Sequence, residues 1–88
     1  MIGSLHGQLI QKQAPQIVVE CGGVGYEVEM PMSTFLDLPE TGSDLFLYTH
    51  LVVREDAQIL FGFTTTDDRL LFRTLLKVNR VGAKMALG

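Results

Sequence analysis

Glu55 and Asp56 stand side by side, with Arg54 before them and Ala57 after. Two adjacent carboxylates can hold a divalent cation, the arrangement a metal-dependent nuclease would use. Such hard cations take six or more oxygen ligands, and no third or fourth acid lies near this pair in sequence. Cys21 is the single cysteine, so no intrachain disulfide forms and a reducing compartment is expected. Neither His6 nor His50 has the spacing to Cys21 that a zinc site requires. His50 alternates within an apolar run and reads as a structural residue. The chain also lacks a glycine-rich phosphate loop followed by Lys-Ser/Thr, and it lacks a nucleophile elbow. No catalytic residue, no metal and no cofactor is therefore expected, and the two acids stand as a polar tip with no evident chemistry of their own.

A second set of groups is cationic. Arg69, Arg73, Lys77, Arg80 and Lys84 follow one another at steps of four, four, three and four. On a continuous helix that spacing makes one polar stripe, which is either a solvated face or an electrostatic contact for phosphate. The charge map favours a partner. Residues 1–66 carry two cations against eight acids, and residues 67–88 carry five cations against two acids, so an acidic front joins a basic tail within a chain of net charge −3. Asn79 and Gly82 are turn formers that interrupt the helix, and Ala83–Leu87 resumes a helical pattern. The N–H groups opening such a second helix, with Arg80 and Lys84 beside them, are suited to bind phosphate. The sequence stops at Gly88, one turn into that helix. It is expected to be the front piece of a longer protein.

The elements that must position these groups are mostly strands. Leu45–Val52 and Ile59–Phe63 are β-prone runs joined by the short polar stretch, which makes a hairpin with Glu55, Asp56 and Arg54 at its tip. Upstream, Ile2–Gln11 alternates loosely, with Leu5 and Leu9 on one side and Gly3 and Gly7 marking coiling or close backbone approach. Lys12–Pro15 reads as a turn, and Gln16–Cys21 as a β-branched strand. Gly22-Gly23 is a hairpin signal, and Val24–Met30 alternates with Val24, Tyr26, Val28 and Met30 on one face. Ser33 is expected to cap a short helix over Thr34–Leu38. Thr66 or Asp67 is expected to cap a later helix with a stripe of Leu71, Leu75 and Val78, flanked by Phe72 and Leu76. Three strands, a helix and two strands match a mainly β class, a five-stranded OB-fold Greek-key barrel, followed by α structure. The expected division is a barrel over 1–64 and the start of a helical domain over 65–88.

At 88 residues and 47% hydrophobic content the chain can bury a core. A domain so small is only marginally stabilised, which oligomerisation would ease. No apolar run reaches the roughly 18 residues of a membrane span, and the first residues do not form a signal peptide. A soluble, cytoplasmic protein without membrane contact is expected.

Several motifs resemble the RuvA family of Holliday-junction-binding subunits. The most specific is Val52-Val53-Arg54-Glu55-Asp56-Ala57-Gln58, followed by Gly22-Gly23-Val24-Gly25-Tyr26-Glu27-Val28. Met1-Ile2-Gly3, Met30-Pro31-Met32, Thr49-His50, Gly62-Phe63 and Leu71-Phe72 also match. The resemblance implies an OB-fold barrel that assembles into a homotetramer, alone or as two tetramers stacked into an octamer. It implies that Glu55 and Asp56 form an acidic pin near the centre of four-way junction DNA, with Arg54 as a supporting contact. Residues 79–84, Asn79, Arg80, Val81, Gly82, Ala83 and Lys84, match the first of two helix-hairpin-helix motifs that grip the DNA backbone. The second motif, and a third domain contacting a RuvB-type ATPase motor, would lie beyond Gly88. Four positions depart from the family pattern. Arg80 stands where glycine is usual, Ala83 where proline is usual, and Ser4 and His6 where arginine is frequent. The last two remove cations from the front domain.

These readings imply a non-catalytic subunit for recombination and DNA repair, part of the response to DNA damage. In that role the cations hold the DNA arms and the acids repel phosphates at the centre. Two other classes compete: a tetramerisation module without useful DNA binding, and a single-strand-binding OB-fold. The acidic front, lacking a basic groove with interleaved aromatics, disfavours the latter.

Overall fold

The computed structural model describes residues 1–78 and 86–87. It runs β1 (Ser4–Gln13), β2 (Gln16–Cys21), β3 (Val24–Glu29), α1 (Met32–Leu36), β4 (Asp44–Val53), β5 (Gln58–Phe63) and α2 (Thr66–Lys77). The strands close into a barrel in the order β1-β2-β3-β5-β4. All neighbouring pairs are antiparallel except β3 with β5, which meet in parallel through Val28↔Leu60 and Glu29↔Phe61. The expected five-stranded barrel is therefore present, and among the described residues each strand has two paired neighbours, β3 meeting β5 through just two residue pairs.

Two strand connections follow directly from backbone chemistry. Gly22 and Gly23 both take positive φ, 58° and 88°, the conformation a two-residue hairpin of this hand requires. The β1–β2 connection is tighter than the four-residue turn predicted over Lys12–Pro15. Lys12 pairs with Ile17 and Gln13 with Gln16, so only Ala14 and Pro15, joined by a cis peptide, remain in the turn. β1 thus extends two residues past its expected end. The register slips between Leu9 and Gln11, and this bulge keeps Leu9 in the core while Ile10 turns outward.

The barrel interior holds Leu5, Leu9, Ile17, Val19, Val28, Met30, Leu45, Leu47 and Leu60, closed by Leu38. A separate cluster lies on the outer face of β5, where Phe61 and Phe63 pack against Phe72 of α2, and Ala86 joins them. β5 is therefore buried on both faces, which explains why Ile59–Phe63 reads as a continuous apolar run instead of alternating. Gly62 sits inward: a β-carbon there would lie 2.6 Å from Val28 Cγ1.

Both helices begin differently from expectation. α1 starts at Met32 with Pro31 in the capping position and no side-chain cap. Ser33 lies inside the helix, because Pro31 already holds the φ of −59° from which a helix can start. In α2 the cap is Thr65, not Thr66 or Asp67; its hydroxyl accepts the Asp68 N–H at 3.1 Å. The buried stripe also rotates. Phe72 is buried with Leu75 and Leu76 beside it, whereas Leu71 and Val78 are 60% and 52% exposed. The reason is the outer face of β5: its two phenylalanines accept the ring of Phe72, and α2 turns to deliver it, with ring centroids 5.0 Å from both.

Candidate nucleic-acid interface

The hairpin of β4 and β5 ends at the pair Val53↔Gln58. Between them Arg54–Ala57 forms a turn closed by one short bond, Arg54 N–H to the Ala57 carbonyl at 2.7 Å. All four residues are exposed. Among the described residues no side chain pairs with Glu55 or Asp56 by hydrogen bond or salt bridge, so both carboxylates and the Arg54 guanidinium point into solvent from a base stiffened by six β4–β5 residue pairs. Among the described residues no group of three or more histidine, cysteine, aspartate or glutamate side chains is placed to hold a metal ion.

The cationic stripe divides. Arg69 leans back on the barrel: its Nη1 donates to the Gly3 carbonyl at 2.9 Å and, at 3.5 Å, to that of Thr49. Its guanidinium carbon lies 5.3 Å from the Tyr48 ring centre, within cation–π range. Arg73, one turn later, donates from Nε to His50 Nδ1 at 3.1 Å. Lys77 remains exposed in the last turn of α2. Arg80 and Lys84, with Asn79, Val81, Gly82 and Ala83, lie outside the described residues.

His50 faces α2 because β4 alternates. Leu47 and Thr49 are buried inward, and Tyr48, His50 and Val52 point to the outer face. The imidazole meets Phe72 edge-on at 5.6 Å. Burial lowers its pKa from the ordinary 6.5, and the charges of Arg73 and then Arg69 lower it further. A neutral ring accepting at Nδ1 carries its proton on Nε2. Sequence reasoning missed this arrangement. The available signal was the outward register of His50 in a half-buried strand, combined with arginines four residues, about one helical turn, apart.

The front strand has its own polar feature. His6 Nε2 and Asp44 Oδ2 are 2.6 Å apart, with side chains 62% and 74% exposed. The Phe46 ring lies 6.2 Å from His6 and 5.0 Å from Tyr48. His6 is thus engaged by a carboxylate on the same outer face, while Ser4 is exposed without charge.

The profile of the RuvA N-terminal domain family matches residues 1–62. Relatives named "Holliday junction branch migration complex subunit RuvA" align over almost the entire chain. The protein of Shewanella loihica is 58% identical over 87 residues, covering 99% of this chain and 42% of its own length. That of Cronobacter sakazakii is 59% identical over 87 residues, covering 99% and 43%. That of Vibrio parahaemolyticus is 54% identical over 88 residues, covering 100% and 43%. The chain spans about two fifths of the length of these relatives. Matching the family profile over residues 1–62, within a closed five-stranded barrel, the chain belongs to the RuvA N-terminal domain family.

Proposed function

We propose that this chain acts in a Holliday-junction-binding subunit of a bacterial branch migration complex, as a non-catalytic component that holds the junction and brings an ATP-driven motor to it. The observation that carries the reading is the exposed, unpaired Glu55–Asp56 tip on a rigid hairpin, in a chain of this family. Two like charges 4 Å apart repel by about 1 kcal/mol in water and by more where water is excluded. Four copies around one axis would bring eight carboxylates to the crossing point of the DNA arms. Their repulsion of converging phosphates disfavours continuous stacking through the centre and keeps the junction open. It also penalises ordinary duplex, so acidity supplies selectivity.

In this reading residues 1–64 are the assembly and pin domain, and residues 65–88 open a helix-hairpin-helix domain. Asn79–Lys84 would grip backbone phosphate, and Arg54 would make a supporting contact beside the acids. Arm binding by charge and backbone N–H groups recognises shape, not base sequence. A RuvB-type motor would supply ATP hydrolysis. The bacterial cytoplasm is the compartment that suits such work, and among the described residues no helix is long and apolar enough to cross a membrane.

A second reading is favoured by one observation. Arg69 and Arg73 are bound to the barrel instead of being directed outward, so residues 1–78 alone offer phosphate few cations and serve chiefly for assembly. Solution mass and a junction gel shift separate the two. The first reading expects a four-copy mass and a preference for four-way over duplex DNA that weakens steeply with salt. A tetramer without DNA binding supports the second, and a monomer binding both DNA forms equally contradicts both.

A further inference from the structure

We propose that Arg69 and Arg73 are positioning residues that lock the orientation of α2 on the barrel through β4, with His50 as the protonation-sensitive element of the lock, and that they are not phosphate contacts. The DNA consequence rests on the function proposed above; the lock itself does not.

The packing of Phe72 against Phe61 and Phe63 brings α2 to β5. Such burial is non-directional, so it fixes contact better than angle. Hydrogen bonds supply the angle. Arg69 and Arg73 are four residues apart, about 6 Å along the axis at 1.5 Å per residue. Their anchors are consecutive on β4: the Tyr48 ring and Thr49 carbonyl for Arg69, the His50 ring for Arg73. Arg69 also reaches the Gly3 carbonyl, so one side chain ties α2 to both the segment before β1 and to β4. Two anchors at different heights on one helix face resist both rotation about the axis and sliding along it.

Of these anchors only His50 changes character with pH. Neutral, its Nδ1 accepts from Arg73. Protonated, both ring nitrogens are donors, so the bond is lost and a cation faces two guanidiniums. The charged groups acting on it are Arg73 and Arg69, both from α2. Phe72 of α2 packs on its ring, and Phe61 is its register partner on β5; neither titrates. Acidification therefore replaces an attraction with a repulsion at the second anchor while the aromatic cluster remains.

The test has one arm without DNA and one with it. In the first, hydrogen exchange of the α2 amides, corrected for intrinsic exchange, is followed as pH falls through the titration of His50. Protection of α2 is expected to fall together with that titration. It should become independent of pH in His50→Asn, whose side-chain oxygen stays a neutral acceptor, and the dependence should weaken in Arg73→Gln, where the imidazole still titrates but faces only Arg69. Protection that is flat in the unmodified protein, as pH-dependent in His50→Asn as in the unmodified protein, or undiminished in its pH dependence in Arg73→Gln, overturns the lock. In the second arm, the slope of log affinity against log salt for four-way DNA is measured for Arg73→Gln. A lost phosphate contact lowers the slope by about 0.9. An unchanged slope is expected, and a reduced slope overturns the positioning role. Absence of any junction binding by the unmodified protein would count against the proposed function, with the exchange arm still deciding the lock.

Discussion

Arg73 donates through Nε to Nδ1 of His50 at 3.1 Å, and this bond joins a helix of the basic tail to a strand of the acidic barrel. It requires a neutral imidazole. The folded chain holds the His50 pKa below 6.5, through burial first and then Arg73 and Arg69. Well above pH 6.5 the ring is neutral in both folded and unfolded chains and carries no penalty. As pH falls, the unfolded chain takes up the proton first, so stability is lost from about pH 6.5 down to the lowered folded value. Urea unfolding on either side of that range should show a lower midpoint on the acid side. His50→Asn should remove the part of the loss that belongs to this ring.

Phe72 is 2% exposed and touches Phe61, Phe63 and His50. Replacing it with alanine removes the ring that brings α2 to β5. A loss of about 3–5 kcal/mol is expected for such a truncation. Chemical denaturation followed by exchange of the α2 amides should show the helix losing protection before the barrel strands do.

Thr49 is fully buried, and its hydroxyl donates to the Ile2 carbonyl at 2.7 Å. Its backbone N–H donates to the Gly3 carbonyl at 3.0 Å, the same oxygen that accepts Arg69. Thr49→Val preserves shape but strands the Ile2 carbonyl. The expected cost is about 1–3 kcal/mol, measured by urea unfolding, with the segment before β1 the first to exchange.

Gly7 lies where β1 passes close to Glu20 of β2. A β-carbon there would overlap the Glu20 backbone carbonyl and lie 2.8 Å from Cys21 Sγ. Backbone cannot yield as a flexible side chain can, so Gly7→Ala should cost at least the roughly 1–3 kcal/mol typical of overpacking. The thermal midpoint should drop accordingly.

The barrel was legible because its strands are β-prone runs, alternating in β1 and β3, separated by Gly22-Gly23, by Pro15 and by the charged tip. Gly7 announced a close approach that the structure contains. The errors arose where tertiary contact decides. Ser33 and Thr66 have good capping chemistry, yet Pro31 and Thr65 occupy the capping positions. Leu71 and Val78 fit a helical stripe, but the aromatic face of β5 selects the neighbouring stripe through Phe72. The cations of α2 looked alike in sequence. Only the outer register of β4 distinguishes Arg69 and Arg73, which have partners there, from Lys77, which is exposed. For Glu55 and Asp56 the hairpin places both at an exposed tip; the pin role proposed for them rests on an assembly of four copies, which no single-chain pattern encodes.

The central claim is that the acidic tip confers selectivity for an open four-way junction. The most direct measurement is the ratio of junction to duplex affinity for the protein with Glu55→Gln and Asp56→Asn together, at fixed salt. If repulsion of about 1 kcal/mol per charge pair acts against duplex, neutralising the tip should tighten duplex binding by about fivefold or more. Junction binding should change less, so the ratio should fall. An unchanged ratio, with both affinities as in the unmodified protein, would contradict the account.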